Sequence, residues 1–229
     1  MQEITINRDE LDFHAKESYN ALRTNIEFSG KKVISVTSCM PNEGKSSVSV
    51  NLAQSFAELG KKVILIDADM RKSVLINRYN IKNGKKGLSH YLSGQCEMKA
   101  VLSSTNAENF YMILSGPVPP NPSELLSSER FSGLLNSLKK EYDYIIIDCP
   151  PKGNVVDALI AGKLSDGVVL VIASGQISYK FAKRIKKQLE DVGCSIIGVV
   201  LNKVHMKRRG YYGRYYGGYY SYYGNDGKL

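Results

Sequence analysis

Six short apolar runs, each bounded by charge or turn residues, mark the chain at residues 32–36, 62–66, 109–114, 143–148, 167–173 and 195–202. Their length and β-branched content predict strands. The run at 62–66 is almost continuously apolar and ends in Asp67-Ala68-Asp69, the pattern of a parallel strand buried on both faces. Between the runs the period changes to three and four. Leu11, Ala15, Tyr19, Leu22 and Ile26 predict a helix over 9–29, closed by Gly30. Val48, Leu52, Ala53 and Phe56 predict a second over 48–59, and further helices are expected at 123–126, 130–141 and 178–192. Residues 71–95 read as short helices and turns, with His90 in a packing or surface role. Four prolines among residues 117–122 predict a rigid, extended loop. Strand alternating with helix predicts a mostly parallel sheet flanked by helices on both faces.

The junction between the first strand and the second helix reads Thr37-Ser38-Cys39-Met40-Pro41-Asn42-Glu43-Gly44-Lys45-Ser46-Ser47. Strand, turn, Gly-Lys-Ser, helix is the order of a phosphate-binding loop, because successive backbone N–H groups and the helix N-terminus converge on one anion-sized hollow. Pro41, Asn42, Glu43, Gly44, Lys45, Ser46 and Ser47 are therefore the candidate nucleotide-binding residues. Lys45 is expected to reach the outer phosphates and Ser46 to sit on Mg²⁺. Cys39 stands where the usual pattern has its first glycine, and Asn42 is placed for a left-handed turn conformation.

Composition narrows the class. With 229 residues, 43% of them hydrophobic, the chain can bury one α/β core with appendages. No apolar run reaches the roughly 18 residues of a membrane span, and the polar N-terminus does not read as a signal peptide, so a cytoplasmic protein is expected. The cysteines at 39, 96, 149 and 194 are scattered and predict neither a disulfide framework nor a metal knuckle. The expected division is an N-terminal helical arm at 1–30, a P-loop domain at 31–205 and a flexible tail at 206–229. The tail carries +4 of the net +9 charge. It also holds eight of the 15 tyrosines, all in adjacent pairs: Tyr211, Tyr212, Tyr215, Tyr216, Tyr219, Tyr220, Tyr222 and Tyr223. It has no apolar period and no means of building a core of its own.

Aspartates end two of the predicted strands, on the edge where open α/β sheets bind ligands. Asp67 and Asp148 are placed to hold Mg²⁺ through its water shell. Asp69, two residues past Asp67, is the candidate to accept the proton of an attacking hydroxyl.

Residues 64–71, Ile-Leu-Ile-Asp-Ala-Asp-Met-Arg, resemble the Walker A′ motif of bacterial tyrosine kinases, and residues 144–151, Tyr-Ile-Ile-Ile-Asp-Cys-Pro-Pro, their Walker B strand. The proline-rich loop, the Gly-Val-Val-Leu-Asn-Lys segment ending at Lys203 and the tyrosine-rich tail also match, so the resemblance spans essentially the whole chain. It extends to the separate kinase subunits of Gram-positive capsular and exopolysaccharide systems. The resemblance implies an ATP- and Mg²⁺-dependent protein-tyrosine kinase with catalytic Lys45, Asp67 and Asp69, metal-binding Ser46, Asp67 and Asp148, and Asn202 near the base. It implies phosphorylation of the tail in trans within a homo-oligomeric ring, and protein substrates beyond it. It also implies a transmembrane activator (a polysaccharide co-polymerase subunit) that recruits the kinase to the inner face of the membrane, and a cognate tyrosine phosphatase. The family's E-x-x-R-x-x-R oligomerisation motif survives as Glu17 and Arg23, with Asn20 in place of the middle arginine.

Full phosphorylation at about −1.5 to −2 per tyrosine would take the tail from +4 to roughly −8 to −12, which is expected to release it from an acidic site and loosen the oligomer. The alternative is an ATPase switch of the ParA/MinD kind, which carries an early loop lysine where Met40 stands here. An Arg-Gly-Tyr tail also fits RNA binding, but aspartates at strand ends beside a phosphate loop have no use in that role, and no nucleic acid is expected.

Overall fold

The computed structural model describes residues 2–7, 10–81, 86–153 and 156–204; the tyrosine cluster lies outside them. Eight strands form one sheet: β1 (Gln2–Ile4), β2 (Val33–Ser38), β3 (Val63–Asp67), β4 (Leu102–Thr105), β5 (Phe110–Ile113), β6 (Tyr144–Asp148), β7 (Gly167–Ala173) and β8 (Ile196–Asn202). Their order across the sheet is β1-β4-β5-β3-β6-β2-β7-β8. From β5 to β8 every pairing is parallel, and β4 runs antiparallel to β5 with β1 parallel to β4 beyond it. The mostly parallel, helix-flanked P-loop fold expected from the alternating pattern is the one observed.

The helices are α1 (Phe13–Ser29), α2 (Lys45–Ala57), α3 (Leu75–Arg78), α4 (Leu88–Leu92), α5 (Pro122–Leu126), α6 (Glu129–Glu141), α7 (Asp157–Leu164) and α8 (Tyr179–Asp191). Strand side chains alternate between two cores. Val63 and Leu65 face Val48, Leu52 and Phe56 of α2 and Ile26 of α1. Ile64 and Ile66 face Phe131, Leu134 and Leu138 of α6 and Ala158 of α7. Helix α8 covers β7 through Ile185 and Leu189.

Three elements fall outside the apolar pattern. Strand β4 reads Leu-Ser-Ser-Thr, β1 has three residues, and α7 is a short helix after the Pro150-Pro151 turn. Residues 1–30 therefore supply a sheet strand as well as a helix. Helix α1 starts later than its period predicts because Asp12 caps it, its Oδ1 accepting from Ala15 N at 2.7 Å, and Gly30 ends it at φ 66° as expected.

Packing fixes α2. Val48, Leu52 and Phe56 are fully buried, each worth about 1.5–3 kcal/mol relative to exposure, and Phe56 stacks on Tyr144 at 3.9 Å between ring centroids. No side chain caps the α2 N-terminus, so its first N–H groups are left to the loop hollow.

Candidate active site

The loop between β2 and α2 takes its shape from two left-handed residues, Asn42 (φ 65°) and Gly44 (φ 92°). A Cβ on Gly44 would stand 2.1 Å from Asn202 Nδ2. That amide donates to the Glu43 carbonyl at 2.9 Å, and Lys203 Nζ donates to the Asn42 carbonyl. Glu43, expected among the phosphate ligands, turns its side chain inward. It is fully buried, accepting from Met40 N at 2.6 Å and from Ala173 N of β7 at 3.2 Å, and so braces the loop against the sheet.

Cys39 needs no glycine freedom, for it is not among the left-handed residues. The close approach falls on the opposite strand connection. Gly153 N donates to the Cys39 carbonyl at 3.0 Å, and a Cβ on Gly153 would lie 2.3 Å from that oxygen. Burial, with the Glu43 charge adding to it, pushes the Cys39 thiol up to about 12. A thiolate is therefore scarce at Cys39 near neutral pH. In the native protein at pH 8, iodoacetamide should label half-buried Cys96 and spare Cys39 and Cys149, as read by peptide mass mapping.

Strands β3 and β6 place Asp67 opposite Asp148 in register. Both are buried. Burial first, and then the charge of Asp148, push the Asp67 carboxyl up to about 7, although Ser73 Oγ donates to it at 2.5 Å. Asp148 is raised by burial, while Lys45 and the Ser46 and Ser49 hydroxyls pull it back; Ser49 Oγ donates to it at 3.1 Å. Lys45 Nζ lies 3.0 Å from Asp69 Oδ2 and 3.2 Å from Ser46 Oγ. Burial opposes the lysine charge, but Asp148, Asp69 and Asp67 together hold its pKa above the ordinary value. Asp69 Oδ1 accepts from Lys72 N at 3.1 Å. Lys45, Ser46, Asp67, Asp69 and Asp148 thus converge at one point.

The raised carboxyls have a sign. Between the ordinary carboxylate value near 4 and about 7, the folded chain keeps a proton that the unfolded chain has released, so stability falls as pH rises through that window. The melting temperature in metal- and nucleotide-free buffer should drop from pH 5 to pH 7.5, and Asp67→Asn should flatten the drop.

Around this point lies a cleft of about 220 Å³. The loop forms one side, and Pro150 and Pro151 after β6 form part of another. Arg71, Lys72 and Arg78 also line it and were not among the residues expected from the sequence. Their signal was the basic Arg71-Lys72 pair directly after Asp69. Arg71 grips buried Asp157 through two bonds, Nε to Oδ2 at 2.7 Å and Nη2 to Oδ1 at 3.1 Å, and also donates to Ser123 Oγ at 2.9 Å. Ser123 Oγ donates to the same Asp157 carboxylate at 2.6 Å. The segment carrying Asp69 is thereby tied to α5, after the proline-rich loop, and to α7. Arg78 donates to Ser47 Oγ. The expectation of an acidic site is corrected here: the acids are interior, and the mouth is cationic.

Glu17 and Arg23 lie on α1, away from the cleft. Asn20 joins them, its Nδ2 donating to Glu17 Oε1 at 2.9 Å and its Oδ1 accepting from Arg23 Nη1 at 3.0 Å. Arg23 Nη1 also donates to the Ser55 carbonyl of α2 at 2.9 Å. Arg23 is thus tied to α2 of its own chain, while Glu17 stays exposed.

A family model described as an AAA domain matches residues 31–196. The chain is 42% identical over 232 residues, covering 100% of both sequences, to the tyrosine-protein kinase CpsD of Streptococcus pneumoniae. The chain belongs to the bacterial tyrosine-protein kinase family. Among solved structures, the kinase domain of Escherichia coli tyrosine kinase ETK superposes with a TM-score of 0.79 at 34% identity, covering 86% of this kinase and 80% of that chain. The septum site-determining protein MinD of Pyrococcus horikoshii, complexed with Mg-ADP, matches at a TM-score of 0.66 and 26% identity, covering 78% and 72%. This kinase thus shares a nucleotide-binding fold with the switch ATPases while resembling tyrosine kinases more strongly. Among its described residues no helix is long and apolar enough to cross a membrane, and no three His, Cys, Asp or Glu side chains form a metal cage.

Proposed function

We propose that the kinase holds Mg-ATP on the loop at residues 41–47 and transfers the γ-phosphoryl to a tyrosine hydroxyl that gives its proton to Asp69. The observation that carries this reading is the meeting of Lys45, Ser46 and three aspartates around one point at an uncapped helix N-terminus. The donor set suits Mg²⁺: one hydroxyl as a direct ligand, with two buried carboxylates to hold its waters, matches the ion's habit of keeping several waters and binding with substrate phosphates. Mg²⁺ would neutralise the β- and γ-phosphate oxygens as charge moves onto them. Lys45 exchanges Asp69 for phosphate, which frees Asp69 to accept the phenolic proton. Asn202 and Glu43 keep the loop in the shape that aims its N–H groups.

The tail tyrosines are the proposed acceptors in trans, supported by their pairing and by the lack of any competing core in that segment. A ring of copies, a membrane partner that supplies a cytoplasmic activating segment at the inner face, an opposing tyrosine phosphatase and a role in capsular or exopolysaccharide export complete the proposal. Family membership supports these. With Asn20 in place of the middle arginine and Arg23 engaged by Asn20 and the Ser55 carbonyl, a ring built through α1 is weaker here than with an arginine at position 20.

The test is incubation of the full chain with Mg-ATP, with and without the partner's cytoplasmic segment, followed by mass mapping of Tyr211 to Tyr223. Phosphate on the pairs is the expected result. No phosphotyrosine under either condition would overturn the reading.

A further inference from the structure

The cleft mouth has parts that the transfer step leaves unused. Lys72 and Arg78 are exposed, line the cleft beside Lys45 and Asp69, and among the described residues neither stands in an ion pair. Lys72 is fixed close to Asp69 by its own backbone N–H, 3.1 Å from Asp69 Oδ1. Arg78 is steadied by Ser47 Oγ. Asp67 and Asp148 are buried, and in the nucleotide-free cleft Asp69 is paired with Lys45, so the exposed side-chain charges of Lys72 and Arg78 at the mouth are positive. Pro41, Val74, Pro150 and Pro151 line the same cleft and supply an apolar wall on which an aromatic ring can lie. A tyrosine with its ring on that wall and its hydroxyl at Asp69 leaves the side chain of the next residue within reach of the rim, since neighbouring residues are only about 3.8 Å apart between Cα atoms.

An anion on that neighbouring residue would meet Lys72 and Arg78. The tail supplies such a residue, because every tyrosine in it adjoins another. We infer that the rim recognises phosphotyrosine: once one tyrosine of a pair is modified, Lys72 and Arg78 hold its phosphate, and the neighbouring tyrosine becomes the preferred acceptor. The pairs then fill together. Each transfer breaks the bond from the γ-phosphorus to its bridging oxygen, forms a bond to the tyrosine Oη, passes the phenolic proton to Asp69 and releases ADP. This inference rests on the proposed assignment of the cleft as the transfer site.

The experiment uses the full-length kinase, Mg-ATP and the partner's cytoplasmic segment, with peptides Gly-Arg-Tyr-Tyr-Gly-Gly copied from residues 213–218. One peptide is unmodified, one carries phosphate on Tyr215, and one carries Tyr215→Phe. Modification of Tyr216 should be about tenfold more efficient in the phosphorylated peptide, a difference of about 1.4 kcal/mol expressed mainly in KM. The ratio should shrink with added salt and approach one in the Lys72→Ala/Arg78→Ala variant. A ratio of one in the wild-type kinase overturns the inference and leaves the kinase reading standing. So does a double variant that raises the KM for ATP while keeping the ratio, since the cations would then serve the nucleotide. If no peptide is turned over at all, the kinase reading fails, and fluorescence polarisation still decides the rim's role: equal affinity for the phosphorylated and unmodified peptides overturns it.

Discussion

Replacing Asp69 with alanine should lower the turnover number for tyrosine phosphorylation by about 10²–10⁴, the usual contribution of a positioned acid or base, while ATP binds at least as tightly as before. The second half of this expectation comes from the 3.0 Å contact between Lys45 Nζ and Asp69 Oδ2. In the wild-type kinase the lysine must leave that carboxylate to reach phosphate; without Asp69 that ion pair no longer has to be broken. Lys45→Met should differ, losing affinity and turnover together, because the ammonium is the cation that both steps share. Initial-rate measurements paired with titration of a fluorescent ATP analogue separate the two outcomes. An Asp69→Ala enzyme with near-normal turnover would place the proton acceptor elsewhere.

The second large effect is on stability. Arg71→Met should cost about 3 kcal/mol, toward the lower end for breaking a buried ion pair, because Arg71 itself is 40% exposed while Asp157 is fully buried. The loss comes from stranding the Asp157 carboxylate, which of its two side-chain partners among the described residues, Arg71 and Ser123, would keep only the Ser123 hydroxyl. At about 2–4 °C per kcal/mol for a chain of this size, the melting temperature should fall by roughly 6–12 °C. Removing both partners in Arg71→Met/Asp157→Leu should recover most of the loss, since a buried pair can be replaced by apolar groups at little cost. If the double variant melts no higher than the single one, the damage lies in packing rather than in the unpaired charge.

The interior of the fold was legible because its strands are apolar on both faces. The runs at β2, β3, β5, β6, β7 and β8 announce themselves, and so does the aspartate ending both β3 and β6. Strand β4 was not legible, since Ser103, Ser104 and Thr105 lack an apolar signature and their pairing with β5 is decided by the edge of the sheet rather than by local preference. In the site, Asn42 was readable as a left-handed turn residue and has φ 65°. Glu43 was not: its place in the loop put it among the candidate nucleotide-binding residues, and only the sheet behind it shows Met40 N and Ala173 N donating to its oxygens. The Cys39 substitution was misleading by itself, because the tight contact is carried by Gly153, more than 100 residues away. Arg71 and Asp157 are likewise 86 residues apart, and no spacing rule joins them.

Asn202 ends β8, clamps the loop at the Glu43 carbonyl and lies only nine residues before the first tail tyrosine. A fully extended chain spans about 3.3–3.6 Å per residue, so Tyr211 stays within roughly 32 Å of that clamp and Tyr223, 21 residues on, within roughly 76 Å. Covalent reach from the clamp thus puts an upper bound on how far each tyrosine can lie from the loop. The bound is tightest for the first pair and loosest for the last. Lengthening the segment between Asn202 and Tyr211 would raise every one of those bounds without touching a residue of the site.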